Sequence, residues 1–378
     1  VLAQKGSLAD RSTVRVDYLN FAPRFGFAYR VGDRTVVRSG YGIYYGGVEH
    51  IGDRYLHAGP PFFFQSSFFT DSIRPTIVLR DGYPPGATTA NVTNLQTISQ
   101  DRSNLTAYSQ QWNFTIQRQL LTDLSLHLSY IGAKGNHLLR RIDTNAPQPG
   151  PGDINSRRPA TRLEVPGLSY VVTPLADTFR REWTANSIYH GLQLKFEKRL
   201  SAGLNFLGAY MWSKAIDDLI DNPPNPYNLR LERGLSDNHF PQRFVFSFNY
   251  DLPVGRGRRF LGDAPRFAEW VLGGWAAAGI TSLSAGNRVN PSVQGNPSNA
   301  GQADRPHLVR DPRLPRSQRS LARWFDTEAF VRQANYTFGN APRNAIEAPG
   351  VANFDLAAYK LFRLAERAEL QFRAEAFN

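Results

Sequence analysis

With 378 residues, a hydrophobic share of 41%, 31 glycines and 25 prolines, the chain carries too much backbone punctuation for a long-helix or coiled-coil protein. The lack of cysteine excludes disulfide frameworks, Cys-based zinc sites and thiol nucleophiles. A formal net charge of +12 permits nucleic-acid contact, but the arginines are scattered singly except at Arg256, Arg258 and Arg259, a Gly-interleaved run that reads as a solvated turn. No nucleic-acid partner is therefore expected.

The longest uncharged, largely apolar run, residues 270–280, falls short of the ~20 residues of a membrane helix and matches the ~9–11 of a membrane strand. The first residue is Val1, and no basic segment followed by an apolar stretch precedes the body. The sequence is expected to begin inside a longer protein.

The dominant signal along the chain is period two, which places alternate side chains on opposite faces of a strand. It begins with Phe25, Phe27 and Tyr29, and continues with Val37, Tyr41, Ile43 and Tyr45. Trp112, Phe114 and Ile116 alternate with Asn113, Thr115 and Gln117; beyond a short polar break, Leu124, Leu126, Leu128 and Tyr130 alternate with Ser125, His127 and Ser129, predicting a hairpin. A second hairpin sets Leu192, Leu194 and Phe196 against Gln193, Lys195 and Glu197, then returns through Leu204, Phe206, Tyr210 and Trp212. Leu207 and Met211 make its other face only partly polar. Phe244, Phe246, Phe248, Tyr250 and Leu252 alternate cleanly with Arg243, Val245, Ser247, Asn249 and Asp251. Residues 275–283 are small and mixed, 354–362 alternate weakly, and Ala368, Leu370, Phe372, Ala374 and Ala376 close the series. At least ten strands are predicted.

Connector lengths give an independent test. The breaks near residues 32–33, 118–122, 199–202, 254–270 and 364–366 are the shorter ones, and those near 46–106, 133–186, 215–240 and 285–351 are longer. The two classes alternate strictly, as they do in a membrane barrel with short turns at one rim and long loops at the other. The long connectors are rich in Pro, Gly, Asn and Asp but also hold Trp183, Tyr227, Trp324, Phe325 and Phe330, which predicts ordered loops.

Catalytic chemistry finds no support. The seven histidines lack zinc spacing, the Gly40–Gly46 run misses the dinucleotide fingerprint by one residue, and Gly234-Leu235-Ser236-Asp237-Asn238 lacks the second glycine of a nucleophile elbow. No cofactor, metal site or enzyme activity is assigned. Asp217, Asp218 and Asp221 open a long loop, where carboxylates can serve a hard cation but read more simply as a solvated acidic start. With Tyr227, Arg230 and His239 they are the candidate ligand-binding residues. Trp112, Tyr130, Tyr210, Trp212 and Tyr250 fit the aromatic girdles of a membrane interface; the alternative is core packing in a soluble sandwich.

Several runs resemble the β-barrel of TonB-dependent outer-membrane receptors of the Oar-like branch. They are Asn20-Phe21-Ala22-Pro23-Arg24-Phe25-Gly26-Phe27-Ala28-Tyr29, Arg38-Ser39-Gly40-Tyr41-Gly42-Ile43-Tyr44-Tyr45, Trp212-Ser213-Lys214-Ala215-Ile216-Asp217-Asp218 and Leu252-Pro253-Val254-Gly255-Arg256-Gly257-Arg258-Arg259-Phe260. Toward the end come Trp324-Phe325-Asp326-Thr327-Glu328-Ala329-Phe330, Tyr336-Thr337-Phe338-Gly339-Asn340 and Phe372-Arg373-Ala374-Glu375-Ala376-Phe377-Asn378. The resemblance implies a plugged transporter in the bacterial outer membrane, gated through a TonB box by an inner-membrane complex. It further implies that residues 1–378 are a partial barrel domain, with plug, TonB box and final strands lying elsewhere.

The expected fold is thus all-β: an open, incomplete portion of an antiparallel transmembrane barrel with long extracellular loops. Its expected function is energy-coupled uptake of a scarce solute such as a siderophore, oligosaccharide or peptide, with outer-membrane lipid and the TonB complex as partners. Lys195, Glu197, Arg243, Asn249 and Arg373 would line the lumen. A passive channel and a secreted all-β binding or adhesion module are the alternatives.

Overall fold

A computed structural model describes residues 17–46, 80, 82, 95–101, 105–164, 171–365 and 368–378. Its strands are β1 (Arg24–Val31), β2 (Thr35–Tyr45), β3 (Leu95–Gln100), β4 (Tyr108–Gln119), β5 (Leu124–Asp143), β6 (Leu163–Glu164), β7 (Val171–Val172), β8 (Leu175–Ser201) and β9 (Leu204–Asp217). They continue as β10 (Gly234–Leu235), β11 (Gln242–Asp251), β12 (Trp275–Ser284), β13 (Arg288–Val289), β14 (His307–Leu308), β15 (Phe330–Val331), β16 (Ile346–Glu347), β17 (Val351–Ala365) and β18 (Ala368–Ala376). One helix, α1 (Arg266–Leu272), lies between β11 and β12. Among the described residues no helix is long and apolar enough to cross a membrane.

Twelve strands form one sheet: ten run in the order β1-β2-β4-β5-β8-β9-β11-β12-β17-β18, each antiparallel to its neighbour, and β3 and β10 join it through β8 and β9. The ends of the order, β1 and β18, do not pair with each other, so the sheet is open, as ten strands of this pattern predict. The short and long connections alternate between the two ends of the sheet, except that the β11–β12 connection, residues 252–274, is nearly as long as the β9–β11 connection, residues 218–241. The β8–β9 turn shows why it can be so tight: Ala202 and Gly203 adopt φ of 52° and 77°, the two left-handed positions of a type I′ hairpin turn. Most of the long connection at 46–106 and Glu366 of the last short turn lie outside the described residues.

Three boundaries differ from the sequence reading. β5 runs to Asp143 and β8 starts at Leu175, so both ends of the loop expected at 133–186 are strand, and β8 reaches 27 residues. Alternation fades there because buried residues fall on both faces: Ile142 and Asp143 are neighbours on β5, and Phe179 and Glu182 stand on opposite faces of β8. β3 lies in the expected first loop and pairs in parallel with β8, at Leu95↔Leu175 and Ile98↔Phe179, an exception to the antiparallel expectation. The apolar run at 270–280 is split: Trp270 and Val271 belong to α1, which Pro265 precedes and Gly273-Gly274 ends, with Gly274 at φ 73°.

Register sorts the side chains into two faces. One row reads Tyr29, Val37, Ile116, Leu128, Leu194, Tyr210, Phe244 and Leu283 across eight strands. The next residue along each strand gives Arg30, Val36, Gln117, His127, Lys195, Ala209, Val245 and Ser282. The first face is almost wholly apolar and the second largely polar, the division a barrel wall needs between lipid and lumen. The best-buried apolar residues lie elsewhere, at the long-loop end, where Ala146, Phe179, Ala185, Ala300, Ala329 and Ala341 are at most 3% exposed.

Candidate functional site

At the long-loop end, the β5–β8, β9–β11 and β12–β17 connections fold into one cap. They are joined by polar contacts between residues far apart in sequence. Arg343, buried, donates to the Asp217 carboxylate and, over 2.8 Å, to the Leu219 carbonyl. Arg305 donates over 2.5 Å to Glu232, which is 1% exposed. Asn299 Nδ2 donates to the Gly150 and Gly152 carbonyls, each at 2.8 Å. Asn344 Nδ2 reaches the Leu235 carbonyl and Asp237 Oδ1, each at 2.7 Å. The Arg343–Asp217 and Arg305–Glu232 pairs satisfy charges that would be costly to bury alone, so they tie the cap together.

The predicted acidic group is dispersed within this cap. Asp217 is buried under Arg343. Asp218 accepts the Asn186 N–H at 2.5 Å and stands 3.7 Å from Arg140, and Asp221 pairs with Arg141 at 2.8 Å. Three arginines from other segments thus engage the three aspartates, which corrects the expectation of a solvated acidic start at Asp217 and Asp218, while Asp221 remains on the surface. Among the described residues no group of three or more His, Asp or Glu side chains is placed to hold a metal ion.

His239 is also internal, 4% exposed, with Nδ1 accepting the Ala215 N–H at 3.2 Å. Burial, aided by Arg288 and Lys214, holds its pKa below the usual imidazole value. Tyr227 donates its hydroxyl to the Ala146 carbonyl while its ring remains half exposed, and Arg230 is exposed. Of the six candidate residues, these two and Asp221 present themselves to solvent. Burial pushes the Asp143 carboxyl above its ordinary range, against 2.9 Å bonds from the Thr178 and Asn145 N–H groups and the nearby Arg158. Arg343, Arg305 and Glu232 were not singled out in the sequence. Their partners lie 126 and 73 residues away, and no local pattern marks them.

Below the cap, the polar face carries Lys195, Glu197, Arg243, Asn249 and Arg373, as expected from alternation. Lys195 pairs with Glu197 at 2.8 Å, and Arg373 with Glu375 at 2.5 Å. A concavity of about 240 Å³ touches Lys195, Glu197, Asn205, Ser247 and Asn249 on this face.

The five predicted interface aromatics all stand on the apolar face. Tyr130 and Trp212 share one register row through Leu192, Trp112 stands one row above, opposite Gly132, and Tyr210 one row below, opposite Phe244. Tyr130 also shares a 2.7 Å hydrogen bond with His190 Nδ1. Tyr250 lies toward the short turns, eight residues along β11 from Gln242, the register partner of Trp212. That spacing matches the ~9–11 residues of a membrane-crossing strand.

The family model described as outer membrane beta barrel domain matches residues 1–378. No curated protein matches the chain. Among solved structures, the outer membrane transporter YddB from Escherichia coli superposes with a TM-score of 0.47 at 10% identity over 95% of this chain. FpvA of P. aeruginosa, bound to heterologous pyoverdines, gives 0.43 at 10% identity over 93%, and the ferric preacinetobactin receptor BauA from Acinetobacter baumannii 0.42 at 10% over 94%. The chain spans 36%, 28% and 31% of those three proteins.

Proposed function

Because the chain belongs to the outer membrane beta barrel domain family, whose place is the bacterial outer membrane, we propose that it forms part of the barrel of a TonB-dependent receptor. In this reading residues 1–378 are a partial barrel domain of a longer protein, and plug, TonB box and final strands come from sequence outside it. The receptor takes up a scarce extracellular solute, a siderophore, oligosaccharide or peptide, in an energy-coupled step.

The observation that carries this reading is the pairing of a polar inner wall with a cap of ordered, mutually bonded loops above it. A fixed cap presents binding groups in one geometry, which lowers the ordering cost of capturing a dilute ligand. The motif resemblance supplies the TonB coupling.

The deciding experiment is depletion of solutes from defined medium by cells carrying the intact receptor, followed by mass spectrometry, with and without a functional TonB complex. Energy-coupled uptake predicts receptor-dependent depletion that stops when TonB is removed. Depletion that continues unchanged without TonB would identify a passive channel.

A further inference from the structure

The β11–β12 connection is the longest at the short-turn end, and it does not stay at the rim. α1 folds back against the apolar face of β17. The Trp270 ring meets Phe362 at 5.4 Å, and Trp275 donates through Nε1 to the Val271 carbonyl at 3.0 Å. Lys360, 3% exposed, fixes the seat: its ammonium donates to the Trp270 carbonyl at 2.7 Å and stands 4.9 Å from the Phe362 ring centre. Lys360 pairs in register with Trp275 and Phe372, and Phe354, on the same face of β17, is in the register row of Phe246. The helix therefore sits on the wall that faces lipid.

Seated there, α1 still leaves its large apolar side chains uncovered. Phe267 is 77% exposed, Trp270 63%, Leu272 49% and Val271 44%. In the same connection Phe260 and Leu261 are exposed beside Arg256, Arg258 and Arg259, and Arg266 opens the helix. Apolar side chains next to arginines, at the level of the short turns, are the composition of a segment lying in a membrane interface.

We propose that the β11–β12 connection is a membrane foot. The apolar side of α1 enters the periplasmic leaflet of the outer membrane, and the arginines hold the phosphates of anionic phospholipids. The occupant is lipid because the exposed face continues the lipid-facing wall, and the positive charge complements an anionic headgroup. Short turns of outer-membrane barrels face the periplasm, whose leaflet is phospholipid.

The absence of cysteine from this sequence makes site-specific labelling direct. The intact receptor, with a polarity-sensitive fluorophore on Phe267→Cys, would be reconstituted into phosphatidylethanolamine vesicles with and without phosphatidylglycerol, and its folding checked by heat-modifiable mobility. Brominated acyl chains should quench the label about as strongly as one on Phe246→Cys, and aqueous iodide should not. Quenching by iodide alone would place the segment in water, and quenching by neither would place it under protein; either overturns the proposal. Replacing Arg256, Arg258 and Arg259 with Gln should reduce phosphatidylglycerol retained in native mass spectra by about fivefold per arginine, the usual effect of a basic residue at an anionic surface. Arg243→Gln, on the polar face, should not. Unchanged retention in the triple variant would refute the headgroup contact.

Discussion

The ring of Phe196 on β8 lies across Gly208, its register partner on β9, so closely that a methyl group at position 208 would overlap the ring. The missing side chain is what lets Phe196, Phe206 and Phe246 gather, with ring centres 5.8–6.3 Å apart. Gly208→Val should therefore destabilise the intact receptor by about 1–3 kcal/mol, the usual cost of overpacking. Adding Phe196→Ala should recover part of the loss, because the two sites are coupled by contact. Urea-dependent refolding into vesicles measures both; strictly additive losses would show that the ring and the glycine do not interact.

Phe246 lies midway along β11 between Gln242, which pairs with Trp212, and Tyr250. Phe246→Arg should cost about 2–4 kcal/mol in the same refolding assay, as for a cation near the bilayer midplane, whereas Ser247→Arg on the polar face should cost much less. Equal losses would mean that the two faces are wrongly assigned.

Arg343 joins the β12–β17 loop to Asp217 at the start of the β9–β11 loop, with both side chains buried. Removing one member leaves the other charge unpaired, so Arg343→Ala should weaken the cap by about 3–5 kcal/mol. Hydrogen exchange should accelerate in residues 216–240 while β9 and β11 keep their protection below the cap. An unchanged exchange pattern would remove this pair from the account of cap stability.

The lowered pKa of buried His239 gives the cap a pH dependence whose sign is fixed. The unfolded state binds a proton more readily than the folded one, so this group's contribution is complete above its unfolded value of about 6.5. It declines as pH falls from there toward the lower folded value. Limited proteolysis of residues 215–240 should become faster on acidification through that window, and His239→Gln should flatten the response. A variant that keeps the full acid response would assign it to another group.

Tyr227 and Arg230 are exposed candidates that, unlike Asp221, make no ion pair with another segment among the described residues, so Tyr227→Ala and Arg230→Ala are the direct tests of recognition at this loop. Each should weaken binding of a solute identified by depletion by about 1–2 kcal/mol in isothermal titration, the range in which aromatic and arginine contacts stand out. Deleting residues 219–235 is a poorer test. Loop closure alone changes by only ~1–2 kcal/mol with length, but the deletion would also strip Arg305 of Glu232. Wild-type affinity in both point variants would move the recognition site to another loop.

The amino-acid sequence by itself determined the ten spanning strands, their short and long connections and the division of their faces. Each depends on local alternation and turn chemistry, as in Phe244 to Asp251 and the Ala202-Gly203 turn. Alternation reports a strand only where its two faces meet different surroundings. It therefore missed the extensions of β5 and β8, whose two faces both carry buried residues. The fate of the aspartates was equally hidden. Asp217 reads as a loop carboxylate until Arg343, 126 residues on, is brought against it. The seat of α1 on Lys360 likewise joins residues 90 apart. Only tertiary structure decides such contacts, because burying a charge stabilises nothing until its partner arrives, and the partner's position is a property of the whole sheet.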